Sequence, residues 1–169
     1  DADDGDAARS AVVCQENNCS ALVLPPGVEG DGQQGDACFE GIVLTPHSDS
    51  TCDLKCKAGH SGERAVVRCA SHSVNGALPA TTISCVEHVC EAYAFPAGAE
   101  GDPSEGDACV DGIALSTSTD GSCDLRCAAG YRGVATTLVC PLDSAHGDAP
   151  GNRIECTENV CAAYEMGVG

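Results

Sequence analysis

A set of seven cysteines that recurs without a gap 71 residues later is the strongest constraint on this chain. The unit is C-x18-C-x13-C-x3-C-x12-C-x15-C-x4-C, and its last cysteine opens the next unit. The residues between the cysteines also recur, as "GDACFEGIVL" at 35–44 and "GDACVDGIAL" at 106–115. This register predicts a tandem array of one supersecondary unit.

The two ends of the chain resemble parts of the same unit. "DADDGDAA" at 1–8 is similar to "DSAHGDAP" at 143–150, and "CAAYEMGVG" at 161–169 is similar to "CEAYAFPAG" at 90–98. We therefore expect a window cut from a longer array. It would contain the end of a preceding repeat (1–18), repeat 1 (19–89), repeat 2 (90–160) and the start of a further repeat (161–169).

The composition indicates a small core that depends on cross-links. Fourteen cysteines are about 8% of the chain, a level typical of a disulfide scaffold, whereas only two Phe, three Tyr and no Trp are present. Each disulfide typically adds ~2–4 kcal/mol to the free energy of unfolding. So many disulfides require an oxidising compartment, which predicts a secreted, extracellular or cell-surface protein.

The charge and hydropathy patterns exclude some partners. Eight basic and 26 acidic residues give a net charge of −18, which repels nucleic acid and anionic membrane surfaces. The apolar runs are too short for membrane insertion, and no signal peptide is visible.

Strand signals dominate each unit. "ERAVVRC" and "GVATTLVC" are rich in β-branched residues, and "TTISC" and "NRIEC" are shorter versions. In "CDLKC" the alternation should turn Cys52, Leu54 and Cys56 inward. The Gly-, Pro- and acid-rich stretches "LVLPPGVEGDGQQGD" and "FPAGAEGDPSEGD" indicate loops. The predicted fold class is all-β, in small disulfide-rich modules.

The second half of each unit resembles a sushi, or complement control protein, module. The pattern is C-x-x-G-[YH]-x-G-x(6)-C-x(15)-C-x(4)-C, and "NGALP" at 75–79 is similar to the family's Asn-Gly-x-Trp-x-Pro turn, with Leu78 in place of Trp. Two further cysteines per unit, Cys38/Cys52 and Cys109/Cys123, have no counterpart in that pattern.

A sushi module has four cysteines, which correspond in repeat 1 to Cys19, Cys56, Cys69 and Cys85. The resemblance implies that the first of these four pairs with the third and the second with the fourth. The implied bridges, including one for the extra pair of each unit, are Cys19–Cys69, Cys56–Cys85, Cys38–Cys52, Cys90–Cys140, Cys127–Cys156 and Cys109–Cys123. Cys14 and Cys161 would then bond to neighbouring repeats. The alternative makes each C-x4-C a local bridge (Cys14–Cys19, Cys85–Cys90 and Cys156–Cys161), and spacing does not decide between the two.

Catalytic and metal chemistry are weakly represented. The five histidines do not recur at the repeat offset, which favours disulfides over zinc, and no Ser, His and Asp combination recurs. We therefore expect no enzyme and no cofactor. Calcium prefers carboxylate oxygens, and weak candidates recur in the acidic loops: Glu29, Asp31 and Asp36, with Glu100, Asp102 and Asp107.

Glycosylation has two kinds of candidate site. Asn18 lies in one Asn-Cys-Ser sequon. Hydroxyl-rich loops at equivalent positions suggest O-linked sugar, at Ser48, Ser50, Thr51, Ser116, Thr117, Ser118 and Thr119.

Repetition, cross-linking and negative charge together indicate an extended, beads-on-a-string arrangement. We interpret the chain as an extracellular structural protein, part of a filament, surface appendage or matrix polymer, whose partners are copies of itself or adjacent repeats. The alternative is a secreted or cell-surface binding and adhesion module that recognises protein or glycan.

Overall fold

The computed structural model describes residues 14–33, 35–104 and 106–161, and all regular structure in them is β. The strands are β1 Val28–Gly30, β2 Thr51–Cys56, β3 His60–Ser61, β4 Ala65–Arg68, β5 Val86–Glu87, β6 Ala99–Gly101, β7 Ser122–Cys127, β8 Tyr131–Arg132, β9 Thr136–Val139 and β10 Thr157–Glu158. They form two three-stranded sheets, β1-β2-β4 and β6-β7-β9, and two two-stranded sheets, β3-β5 and β8-β10. In the described ranges no helix could cross a membrane.

Corresponding strand pairs have the same register in the two repeats. Cys52 lies opposite Val67 in the antiparallel pair β2–β4, and Cys123 lies opposite Leu138 in β7–β9. Side chains alternate across a strand, so Cys52 and Leu54 are buried, as the "CDLKC" pattern predicts, whereas Cys56 at the end of β2 is only half-buried.

Two details of the strand prediction are wrong. The Gly-rich stretches expected to be loops contain β1 and β6, while 81–85 and 152–156, expected to be strands, are irregular and precede β5 and β10. Glycine is required in the short strands because the chain runs against a neighbouring backbone: a Cβ on Gly101 would lie 2.2 Å from the Cys109 carbonyl oxygen. Ile154 packs into the core of its unit without joining a ladder.

Each repeat contains three disulfides, and they connect equivalent positions in the two repeats. Their sequence separations are 50, 14 and 29 residues in both copies. These are the pairs that the sushi resemblance implies, and the local C-x4-C bridges do not form. Cys14 and Cys161 are unpaired and exposed. The bonds are Cys19–Cys69, Cys38–Cys52, Cys56–Cys85, Cys90–Cys140, Cys109–Cys123 and Cys127–Cys156.

Cysteine makes up nearly half of the buried core. The nine buried residues of the second core cluster are Cys90, Tyr93, Cys109, Leu115, Cys123, Leu125, Leu138, Cys140 and Ile154. Leu54, Val67, Leu125 and Leu138 have no exposed surface, whereas Leu78, in the "NGALP" turn, is 86% exposed. The disulfides therefore fill the interior as well as cross-link it.

The compact units of the structure do not coincide with the sequence repeats. The first unit contains residues 14–25, 29–55 and 64–83, and the second contains 26–28, 56–63 and 84–161. The second unit thus includes β3 and β5 of repeat 1, which the Cys56–Cys85 disulfide holds together. The two-stranded sheet β3–β5 of repeat 1 therefore packs with repeat 2.

Gly101→Ala tests the need for glycine in β6. The added methyl group would overlap the Cys109 carbonyl, and we expect the free energy of unfolding in urea to fall by about 1–3 kcal/mol. Gly121→Ala is the control, because its nearest neighbour would be 3.6 Å from the new Cβ. Equal stability of the two variants would contradict this account of β6.

Removing single disulfides tests how they stabilise the fold. In the chain-entropy model, loops of 50 and 14 residues are worth about 4 and about 3 kcal/mol. We expect the double variant Cys90→Ala/Cys140→Ala to be about 1 kcal/mol less stable than Cys109→Ala/Cys123→Ala in urea unfolding. All four cysteines are buried, so cavity formation is matched. The opposite order would contradict the entropic mechanism.

Candidate functional site

The most distinctive polar contact joins the C-x4-C motif to a hydroxyl-rich loop. The motif occurs as "CQENNC", "CVEHVC" and "CTENVC", and its third residue is glutamate each time. We call Glu16, Glu87 and Glu158 the junction glutamates, because they lie three residues before Cys19, Cys90 and Cys161, respectively. We call residues 45–49 and 116–120 the hydroxyl loops.

Glu87 accepts four hydrogen bonds from two adjacent residues of the hydroxyl loop 116–120. Its Oε1 accepts the backbone N–H of Ser118 at 2.6 Å, the Ser118 hydroxyl at 2.8 Å and the backbone N–H of Thr119 at 2.7 Å. Its Oε2 accepts the Thr119 hydroxyl at 2.8 Å. Hydrogen bonds to a carboxylate are about twice as strong as neutral ones, so this contact fixes the loop on β5.

Thr117 extends the contact to the backbone beside the glutamate. Its hydroxyl donates to the Gly59 carbonyl at 2.7 Å, and its backbone N–H donates to the His88 carbonyl at 3.0 Å. Thr117 is only 6% exposed. All these residues belong to the second compact unit, where the two-stranded sheet β3–β5 of repeat 1 contacts repeat 2.

The hydroxyl loop is ordered by its own hydrogen bonds. The Ser116 and Thr119 hydroxyls are 2.8 Å apart, and the Asp120 N–H donates to the Ser116 hydroxyl at 2.9 Å. These bonds hold the loop donors in the orientation in which Glu87 binds them.

Glu16 makes the same contact with the hydroxyl loop 45–49 inside the first compact unit. Its Oε1 accepts the backbone N–H groups of His47 and Ser48, and its Oε2 accepts the Ser48 hydroxyl. Pro46 stands where repeat 2 has Thr117, so the bonds from the Thr117 hydroxyl and N–H have no counterpart here. The carboxylate contact is therefore the part common to both junctions.

Hydrogen bonding lowers the pKa of two of the junction glutamates, Glu16 and Glu87. The Ser118 hydroxyl is the largest cause at Glu87; burial opposes it, but the Ser118 and Thr119 donors together lower the pKa from 4.5 to about 2. The Ser48 hydroxyl is the largest cause of the lowered pKa of Glu16. These donors stabilise the ionised form, so the contact is strongest when the glutamate is charged.

Five of the seven O-glycosylation candidates lie in these loops, while Ser50 and Thr51 follow the loop 45–49. The structure gives several of the loop hydroxyls another role. Those of Ser48, Ser118 and Thr119 donate to the junction glutamates. A sugar on Thr117 does not fit, because its hydroxyl is buried against the Gly59 carbonyl. Modification at the remaining candidates, Asn18, Ser50, Thr51 and Ser116, stays a prediction.

The calcium candidates are not gathered into a cation site in the described ranges, where no group of three or more His, Cys, Asp or Glu side chains could hold a metal. Asp31 is buried and pairs with Arg64 at 3.0 Å, and Glu29 pairs with Lys55 at 3.3 Å. Asp36 is exposed, and it contributes its backbone carbonyl to the Asp53 N–H.

Repeat 2 binds the equivalent carboxylates with a different cation. Arg126 contacts Glu100 at 2.8 Å and Asp102 at 3.8 Å. The Ser104 hydroxyl, 2.6 Å from Asp102, is the largest cause of the lowered pKa of that carboxyl group. Asp107, like Asp36, is exposed. The carboxylates that form ion pairs or hydrogen bonds within the chain are therefore those of Glu29, Asp31, Glu100 and Asp102.

Sequence reasoning overlooked the junction glutamates. The C-x4-C motif draws attention through its cysteines, yet glutamate is the only other residue that all three copies share. The second signal is spacing, because Glu16 to His47 and Glu87 to Ser118 both span 31 residues.

Acid titration of Glu87→Gln tests the junction contact. The folded state holds Glu87 at a pKa of about 2, below the usual 4.5, so between these values it binds fewer protons than the unfolded state. The contribution is therefore present above pH 4.5 and is lost as the pH falls towards 2. We expect Glu87→Gln to reduce the pH dependence of the free energy of unfolding in this window.

The matched control is Glu91→Gln, which removes the same charge from an exposed side chain outside these hydrogen bonds. Urea unfolding between pH 2 and pH 6 measures the difference, and the amide chemical shifts of Ser118 and Thr119 report the loop directly. Identical pH profiles of Glu87→Gln and the unsubstituted chain would contradict the contact.

No protein-family model, curated protein or solved structure matches this chain. The geometry of the junctions is therefore the basis for the function proposed below.

Proposed function

We propose that this chain is a segment of an extracellular structural polymer, such as a filament, a surface appendage or a matrix strand, built from 71-residue repeats. The observation that carries the proposal is the recurrence of one contact. A glutamate just before the first cysteine of a repeat binds the hydroxyl loop of that repeat, at Glu16 and again at Glu87.

This contact supports a structural role because it lies between consecutive repeats. In tandem arrays each unit interacts mainly with its neighbours, so the interface between units determines how force passes along the chain. The sheet β3–β5 of repeat 1 is attached to repeat 2 through backbone as well as side-chain atoms of Thr117, Ser118 and Thr119. An attachment of this kind resists separation of adjacent repeats.

The disulfides support the extracellular location. A small β protein with six disulfides is typical of chains that mature in an oxidising compartment. We further propose that the repeats are diverged sushi-like modules, since the bonded pairs are those which that resemblance implies.

The charge supports spacing between polymers. A net charge of −18 on 169 residues makes neighbouring chains repel one another. The proposed partners are therefore adjacent repeats, which bind through the junctions. The proposed role is mechanical and not enzymatic.

Electron microscopy of native extracellular material tests the proposal. Antibodies raised against the folded chain and coupled to gold should label regular filaments or matrix strands in negative stain. Reduction with a thiol should disperse the strands, because the disulfides hold each repeat together. Unreduced material treated in the same buffer is the control. Label found only on isolated globular particles would contradict the structural role.

A further inference from the structure

The two-stranded sheet β8–β10 of repeat 2 has the same construction as the two-stranded sheet β3–β5, which binds the hydroxyl loop 116–120. Glu87 lies opposite His60 in β3–β5, and Glu158 lies opposite Tyr131 in β8–β10. The amide of the following residue donates to the equivalent glycine carbonyl in both cases, at 2.7 Å for His88 to Gly59 and 2.8 Å for Asn159 to Gly130.

The two two-stranded sheets differ in which residues cover them. Gly59 is buried, and a Cβ placed on it would lie 2.5 Å from the Thr117 hydroxyl oxygen. Gly130 is exposed, and a Cβ placed on it would meet nothing within 4 Å. The surface around Gly59 that binds Thr117 in sheet β3–β5 thus has an equivalent around Gly130 in sheet β8–β10. None of the described residues covers that equivalent surface.

The residues around Gly130 show the same contrast. Glu87 and Val89 are half-buried under repeat 2, while Glu158 and Val160 are exposed, Val160 to 86%. The Gly59 carbonyl accepts two donors, the His88 N–H and the Thr117 hydroxyl. In the part of the chain that the structure describes, the Gly130 carbonyl accepts only the Asn159 N–H.

We propose that Gly130, Glu158 and Asn159 form a docking site for the hydroxyl loop of a further 71-residue repeat, joined to this chain through Cys161. The proposal rests on the function proposed above and names its partner and its site. The ligand is a turn with two consecutive backbone N–H donors and adjacent Ser or Thr hydroxyls, which meet the Glu158 carboxylate. A Thr at the position of Thr117 would donate to the Gly130 carbonyl.

Spacing at the junction favours a covalently continuous repeat over a separate chain. Glu87 is three residues before Cys90, and Cys90 bonds to Cys140 in the repeat whose loop Glu87 binds. Glu158 is three residues before Cys161, which is exposed and unpaired. A following repeat would thus supply both the hydroxyl loop for Glu158 and the cysteine partner for Cys161.

An extended chain tests the site. Residues 1–161 are followed by a second copy of residues 91–169, so that a third repeat continues from Cys161. Amide hydrogen exchange, followed by NMR, is compared for the added loop in this chain and in its Glu158→Ala variant. We expect Glu158→Ala to speed exchange at the added copies of Ser118 and Thr119 by roughly 10-fold or more, since the carboxylate bonds are lost.

The first junction of the same molecule is the internal control. Glu158→Ala should leave exchange in the loop 116–120 unchanged, and Glu87→Ala should affect that loop and not the added one. Mass spectrometry without reductant should find three disulfides beyond the six of the original chain.

Three results would overturn the proposal. One is equal exchange of the added loop with and without Glu158, and another is failure of the added repeat to form its three disulfides. The third is dimerisation of the unextended chain through Glu158, which would make the occupant a separate copy. None of these results depends on the microscopy of native material, so filaments observed without protection of the added loop would refute the site and leave the structural role standing.

Discussion

Covalent cross-linking is the constraint on which the rest of this structure depends. Of the nine residues in the second core cluster four are cysteines, and Tyr93 is the only aromatic side chain among them. Such a core removes little apolar surface from water, so limiting the unfolded chain has to contribute much of the stability. The disulfides also position the chain, because Cys56–Cys85 and Cys127–Cys156 each link the segments that form a two-stranded sheet containing a junction glutamate.

The acidic residues are more than a source of repulsion. Glu40 and Asp111, at equivalent positions, each accept the backbone N–H of the residue 16 positions earlier, at 2.7 Å. Asp31 and Asp102 are buried beside arginine, and Glu16 and Glu87 bind the hydroxyl loops. In a fold with short strands, many backbone N–H groups lie outside ladders and need other acceptors. Carboxylates supply part of that need.

Segments of two different disulfide-bonded repeats pack in the same compact unit at the junction. Repeat 1, as defined by its disulfides, runs from Cys19 to Cys85, whereas the second compact unit combines repeat 2 with residues 56–63 and strand β5 of repeat 1. The end of one repeat and the start of the next therefore form one packed body. Glu87 and Thr117 lie at the point where the two are attached.

The sequence by itself determined the 71-residue period, the all-β class and the inward face of "CDLKC", because cysteine spacing and side-chain alternation are written along one dimension. It also contained the junction glutamates, but their partners lie 31 residues away and donate largely through backbone N–H groups, which no side-chain pattern records. Tertiary structure alone decided that Asp31 pairs with Arg64 while the equivalent Asp102 pairs with Arg126. The strands Val28–Gly30 and Ala99–Gly101 also became evident only in the tertiary structure. At Gly30 and Gly101 a neighbouring backbone comes too close for any side chain, and only the fold brings that backbone there.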